Sequence, residues 1–215
     1  MKAIIFDMDG VIVDSEKIKF EITKEIVESF GFQWKQEDQE KGIGLNANDF
    51  WSHIIKKFNL NATRNELEEK FSNVYNKKIK EEAKFIPSSK KFLKKINERK
   101  IKTALASSSS REKIKIVLKK LKIENCFESI VAGDELIHAK PDPEIFLIAA
   151  KRIKAKPEEC IVIEDSPLGI EAAKKAGMTA IAVPCKMTKN LDFSEADYKI
   201  NSLKEFPMNL LEEKK

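Results

Sequence analysis

Short apolar runs alternate with amphipathic stretches through most of the chain, a rhythm that predicts strand–helix–strand units. Ala3–Phe6 reads as a buried opening strand. Lys102–Ala106, Ser129–Val131, Cys160–Ile163, Thr179–Val183 and Tyr198–Ile200 read as further strands. Helix signals lie between them. Ser109-Ser110-Arg111-Glu112 fits a capping box, in which a serine oxygen and a glutamate satisfy orphan backbone N–H groups. Asp142-Pro143 and Ser166-Pro167 each place a capping residue before a proline at the first helical position. Gly177 stands where a helix would end in a left-handed turn. The pattern predicts an α/β fold, doubly wound, with helices on both faces of a mostly parallel sheet.

Residues 15–85 break this rhythm. They hold no convincing strand and three helical patterns. Ile18, Ile22, Ile26 and Phe30 repeat every four residues, and Gly31 ends the stretch. Phe50, Trp51, Ile54, Ile55 and Phe58 form a second apolar face. The third, opened by Thr63-Arg64-Asn65-Glu66, carries Leu67, Phe71, Val74, Tyr75 and Ile79. An all-helical insertion of this kind predicts a lid over an α/β core made of residues 1–14 and 86–215, with Pro87 marking re-entry.

Composition narrows the setting. The 215 residues carry 40 Lys+Arg against 35 Asp+Glu, a net charge of +5. The lysines are scattered along helix faces and only Arg64, Arg99, Arg111 and Arg152 are arginines, so no nucleic-acid footprint is expected. No run reaches the roughly 20 apolar residues of a membrane helix, and Asp7 and Asp9 interrupt the N-terminal apolar run, which argues against a secretory signal. Cys126, Cys160 and Cys185 show no metal or disulfide spacing, and His53 and His138 cannot make a multi-histidine centre. A cytoplasmic monomer without nucleic-acid or membrane partners is the expectation.

Ligands of a parallel α/β sheet gather beyond the carboxyl ends of its strands. After the first predicted strand comes Asp7-Met8-Asp9-Gly10, after the second Ser107-Ser108-Ser109, in the loop after the third Lys140, and after the fourth Glu164-Asp165. Each alone reads as loop, cap or surface chemistry. Together they suit phosphoryl transfer. Clustered carboxylates repel a phosphate dianion, so compensating positive charge is needed, and Mg²⁺ on oxygen ligands from Asp7, Asp9 and Asp165 would supply it. An ionised Asp can attack phosphorus to give an acyl-phosphate, a second acid two residues on can move the proton, and Lys140 with Ser107 would hold the equatorial oxygens.

In order, Asp7-Met8-Asp9-Gly10-Val11, Leu105-Ala106-Ser107, Lys140-Pro141-Asp142-Pro143 and Ile163-Glu164-Asp165-Ser166 resemble the four motifs of the haloacid dehalogenase superfamily. The run from Glu164 to Ala173 resembles the branch containing β-phosphoglucomutase and phosphoglycolate phosphatase, which carries a helical cap between the first two motifs. The resemblance implies a Rossmann-like core with an inserted helical cap, and Mg²⁺-dependent hydrolysis of a small phosphorylated metabolite. It implies Asp7 as nucleophile, Asp9 as acid/base with a carboxyl free for proton transfer, and Ser107 and Lys140 as stabilisers. Metal ligation falls to Asp7, Asp9 and Asp165, with Glu164 a less direct member of that set. Substrate contacts are expected from Ser107, Ser108 and Lys140, and from the cap at Lys17, Lys19 or Asn46, with Trp51 and His53 as further candidates; surface charge is the simpler reading of the two cap lysines. Haloacid dehalogenases proper lack the acid that Asp9 provides, so dehalogenation is not expected. The resembling mutases place a cap arginine where Leu45 stands, and an apolar side chain cannot clamp a second phosphate. Hydrolysis is therefore favoured over mutase chemistry.

Overall fold

The computed structural model describes residues 2–212. Its strands are β1 (Ala3–Phe6), β2 (Lys102–Ser107), β3 (Ser129–Ala132), β4 (Cys160–Glu164), β5 (Thr179–Ala182) and β6 (Tyr198–Lys199). All neighbours pair in parallel, in the order β3-β2-β1-β4-β5-β6. Each lies within a residue of its predicted span; for β1 to β5, four- to six-residue, largely buried runs leave little freedom of register, and β6 is a two-residue exposed edge strand. From β1 the chain builds outward to β3, then returns to place β4 on the opposite side of β1. The crevice between β1 and β4 is therefore the topological switch point of a Rossmann-like sheet.

Alternation along β1 divides the core. Ile4 and Phe6 face one side with Leu105, Ile161 and Ile163, packed on α5 (Ser89–Glu98) and α6 (Arg111–Leu121). Ala3 and Ile5 face the other, where α7 (Glu144–Arg152) and α8 (Pro167–Lys175) bury Ile145, Phe146, Ile170 and Ala173. Each fully buried Ile or Phe contributes roughly 1.5–3 kcal/mol of transfer free energy, which fixes the sheet and so the positions of its strand ends.

Between β1 and α5 lie α1 (Glu16–Ser29), α2 (Gln36–Glu40), α3 (Ala47–Phe58) and α4 (Arg64–Glu82), with no strand among them. Ile18, Ile22, Ile26, Trp51, Ile54, Leu67, Phe71, Tyr75 and Ile79 are buried as their spacing predicts, whereas Val74 is exposed. Short α2 escaped prediction because five residues show no helical period. The helical block joins the sheet through two crossing segments that bond to each other. Val13 bridges Phe85, Asp14 N–H donates to Lys84 O at 3.0 Å, and Ile86 N–H donates to Ile12 O at 2.8 Å.

Capping explains most helix starts. Thr63 and Glu66 form the expected reciprocal box, and Ser166 accepts from Gly169 N–H ahead of Pro167. After α8, Gly177 adopts φ +72° and closes the C-terminus. Two predicted starts move by one residue. Ser110, not Ser109, caps α6, and α7 begins at Glu144 after Pro143, with Asp142 Oδ1 accepting from Glu144 N–H.

Candidate active site

The carboxyl ends of β1 and β4 bring Asp7, Glu164 and Asp165 together. Asp7 N–H still donates to Ile163 O at 2.9 Å, so the backbone ladder holds this residue at the sheet edge. Lys140 arrives from the loop after β3, joined to Pro141 by a cis peptide, with its ammonium 5.1 Å from the Phe146 ring centre. Its Nζ lies 2.7 Å from Asp7 Oδ1 and 2.6 Å from Glu164 Oε1, and all three residues are buried. Burial works against the charge on Lys140, but the two carboxylates outweigh it and hold the lysine above its ordinary range. Burial also pushes Asp7 up to about 7 despite Lys140, with Glu164 and Asp9 adding repulsion. A nearby cation would restore the ionised, nucleophilic form.

Glu164, the less direct member of the expected metal set, has its carboxylate occupied by protein donors. Besides Lys140, it accepts from Ser166 N–H at 2.7 Å and Ser166 Oγ at 2.9 Å, so both oxygens are committed to protein donors. Gly169 packs so tightly that a Cβ there would lie 1.8 Å from Glu164 Oε1. Glu164 therefore positions Lys140.

Asp165 is different: its Oδ2 is buried without a hydrogen-bond partner. Burial first, then the charges of Glu164 and Asp7, raise this carboxyl well above its ordinary range. Gly10, at φ +77°, leaves open the space beside it, where a Cβ would come within 1.8 Å of Asp165 Oδ2. A buried, unanswered carboxylate oxygen beside Asp7 fits a divalent cation. Among the described residues no three acidic, histidine or cysteine side chains form a ready-made cage. Two carboxylates completed by backbone, water and substrate oxygens suit Mg²⁺ better than a closed protein cage.

Asp9 is not free in this state. Ser15 Oγ donates to its Oδ1, Ser109 Oγ to its Oδ2 at 3.0 Å, and Lys19 Nζ lies 3.1 Å from Oδ1. Burial works to raise this carboxyl, but the Lys19 charge and these hydrogen bonds hold it below its ordinary range. Lys19 is accordingly no surface lysine. It is mostly buried and also bonds Glu16 at 2.8 Å. Ser109 belongs to the serine run expected after the second strand, whereas Ser15 carries no signal beyond that of a residue preceding a helix. Ser107 is buried, its Oγ accepting from Ser109 N–H at 3.1 Å and 3.5 Å from Asp9 Oδ2.

A cleft of about 340 Å³ opens over this edge, roofed by the loop 41–46 and walled by α1, α3, α4 and the start of α6. Its lining carries seven carboxylates against three lysines, Lys19, Lys113 and Lys140. Such a surface repels a phosphate unless a cation accompanies it. Ser108 lines the cleft with its Oγ 3.4 Å from Gly44 O, a contact between core and roof. Asn46 also lines it, although its Oδ1 caps α3 by accepting from Asp49 N–H at 2.9 Å. Trp51 turns its indole N–H to Glu68 at 2.8 Å. Lys17 is exposed, pairs with Glu21 and does not line the cleft; nor does His53.

Comparison with known proteins agrees with this geometry. A phosphorylated carbohydrates phosphatase of Thermotoga maritima is 32% identical over 185 residues, covering 84% of each chain. A β-phosphoglucomutase of Bacillus subtilis is 35% identical over 191 residues, covering 85% of this chain and 83% of that one. The crystal structure of β-phosphoglucomutase from Clostridium difficile aligns with a TM-score of 0.83 at 26% identity, covering 96% of this chain and 93% of that one. The model of the haloacid dehalogenase-like hydrolases matches residues 4–183, a span that holds all four strand-end motifs and the helical block between the first two. The chain thus belongs to the haloacid dehalogenase-like hydrolase family.

Proposed function

We propose that the protein is a Mg²⁺-dependent phosphatase that hydrolyses a small phosphorylated metabolite, of the sugar phosphate or phosphoglycolate kind, through an aspartyl-phosphate on Asp7. The observation that carries this reading is the buried Asp7–Lys140–Glu164 cluster beside the unpartnered Asp165 oxygen at the switch point. Similarity to a phosphatase of phosphorylated carbohydrates supports the substrate class.

In this mechanism a carboxylate oxygen of Asp7 attacks phosphorus in line with the leaving oxygen, and the ester P–O bond breaks as the new one forms. Asp9, ionised in this state, takes up a proton from solvent as its donors are displaced, gives it to the leaving oxygen, and then takes one from the water that cleaves the acyl-phosphate. The incoming ester must displace Ser15, Ser109 or Lys19 from the Asp9 carboxyl, which ties proton transfer to substrate entry. Lys140, held by Glu164, stays ionised and faces the equatorial oxygens, with Ser107 close by. Mg²⁺ would be held by the carboxylates of Asp7 and Asp165 and the main-chain carbonyl of Asp9, and it supplies charge neutralisation for the phosphoryl oxygens. The helical block acts as a lid that excludes water during turnover. The three cysteines are free thiols, in keeping with a cytoplasmic setting.

A mutase is the second reading, favoured by the similarity to β-phosphoglucomutases. It would require the roof to retain a bisphosphate, and Leu45 lines the cleft where a charged clamp is needed. Phosphate release from an aryl phosphate, with and without Mg²⁺, tests the hydrolase. Activity that depends on the ion and falls at least about 1,000-fold in Asp7→Asn is expected. Equal activity in that variant would refute the reading. With β-glucose 1-phosphate and a bisphosphate primer, glucose 6-phosphate appearing faster than free phosphate would establish the mutase instead.

A further inference from the structure

Beyond the position of the transferring phosphate, the cleft holds two more ammonium groups, and neither is available. Lys19 is bound by Glu16 and Asp9. Lys113, on the first turn of α6, places Nζ 2.6 Å from Glu68 Oε1 on α4 and 5.1 and 5.7 Å from the ring centres of Phe71 and Tyr75. Its side chain is only 11% exposed. Glu68 is fixed in turn: Trp51 donates to its Oε2 at 2.8 Å and Ser72 Oγ to its Oε1 at 2.7 Å. Among the described residues, every lysine lining the cleft is therefore committed to a carboxylate.

The cleft lining also carries uncharged hydrogen-bonding groups. Thr23 and Gln39 belong to it, and Thr23 Oγ1 and Gln39 Oε1 are buried with no partner. A polar atom without a partner is costly, and rotation of either side chain toward the cleft would let a hydroxylated ligand satisfy it. An anionic group arriving there would meet Glu16 and Glu68 and would have to pull Lys113 away from Glu68.

We infer that the Glu68–Lys113 pair is a specificity-determining element: by neutralising the lysine, Glu68 makes the cleft select monoesters with an uncharged, hydroxylated leaving group and reject those bearing a carboxylate or a second phosphate. This rests on the phosphatase reading, narrows its two substrate kinds to sugar phosphates over phosphoglycolate, and adds the residues that set the choice. Glu68→Gln keeps the side chain's shape and an oxygen for Trp51 while freeing the ammonium of Lys113.

The test compares kcat/KM for glycerol 1-phosphate and glucose 6-phosphate with that for phosphoglycolate and fructose 1,6-bisphosphate. The wild type is expected to favour the neutral pair. Glu68→Gln should raise the anionic-to-neutral ratio at least about tenfold, and Glu68→Gln combined with Lys113→Met should return it to the wild-type value. A wild type that prefers the anionic esters, an unchanged ratio in Glu68→Gln, or the same rise in the double variant would each overturn the inference. Calorimetric binding of phosphoglycolate and glycerol 1-phosphate in an Asp7→Asn background reads the same ratio without turnover. It therefore decides this inference even if the wild type releases no phosphate, an outcome that would count against the phosphatase alone.

Discussion

Glu164 shows how much one carboxylate can carry without touching substrate. It shares Lys140 with Asp7 and is itself held by Ser166, so Glu164→Gln leaves a buried ammonium with one acid in place of two. Breaking a buried pair costs roughly 3–5 kcal/mol, and denaturant titration should show a loss of that order. Phosphate release should fall about 10- to 100-fold, the loss typical when a group that orients a site residue is removed. Unchanged stability and turnover would remove Glu164 from the site. Glu135 gives the pH counterpart away from the cleft. Burial works to raise its carboxyl, but hydrogen bonds from Arg152 at 2.7 Å and Ala132 N–H at 3.0 Å, with Arg111 beside them, hold it below its ordinary range. A depressed folded-state pKa stabilises above the unfolded value of about 4.3 and loses that contribution as pH falls through the folded value. The urea midpoint is therefore expected to drop between about pH 5 and 3, with a shallower drop in Glu135→Gln. At this scale Asp7, Asp9, Lys140 and Asp165 could be grouped from the sequence because each follows a strand, and the structure brings them to one sheet edge. Lys19 could not be placed that way: it reaches Asp9 from a helix in the insertion, and nothing in its neighbours along the chain marks the contact.

At the level of elements, helix ends carry much of the local definition. Thr63→Ala removes the acceptor for Glu66 N–H and half of a reciprocal box, and about 1 kcal/mol of stability should go with it in urea unfolding. No change would mean that packing of Leu67, Phe71 and Tyr75 alone sets the start of α4. The serine run before α6 shows the limit of reading caps from sequence. Ser109 and Ser110 fit the capping pattern almost equally, and tertiary structure decides between them: Ser109 turns to Asp9 while Ser110 takes the cap. Strands were legible because burial on both faces demands continuous apolar runs. Val74 was misassigned because it lies at the margin of the apolar stripe, where a small rotation of the helix decides between core and solvent.

For the molecule as a whole, core and insertion share an apolar seam, and at the cleft they also meet through polar contacts. Ser108 touches Gly44 O, and Lys113 pairs with Glu68. Contacts of this kind can break and re-form within a catalytic cycle, so the insertion is expected to close over bound ligand. Solution scattering should show a smaller radius of gyration with Mg²⁺ and a phosphate analogue than without, and superimposable curves would argue for a rigid cleft. The paired crossing segments make such motion compatible with a fixed sheet, since rotation can concentrate around Val13 and Phe85. They also have an evolutionary consequence. Because the chain departs and returns through adjacent doorways, the intervening helices can be lengthened, trimmed or exchanged while the ring of groups around Asp7 keeps its shape. The architecture separates the inheritance of a reaction from the inheritance of a preference, and new substrates can be acquired without reinventing the chemistry.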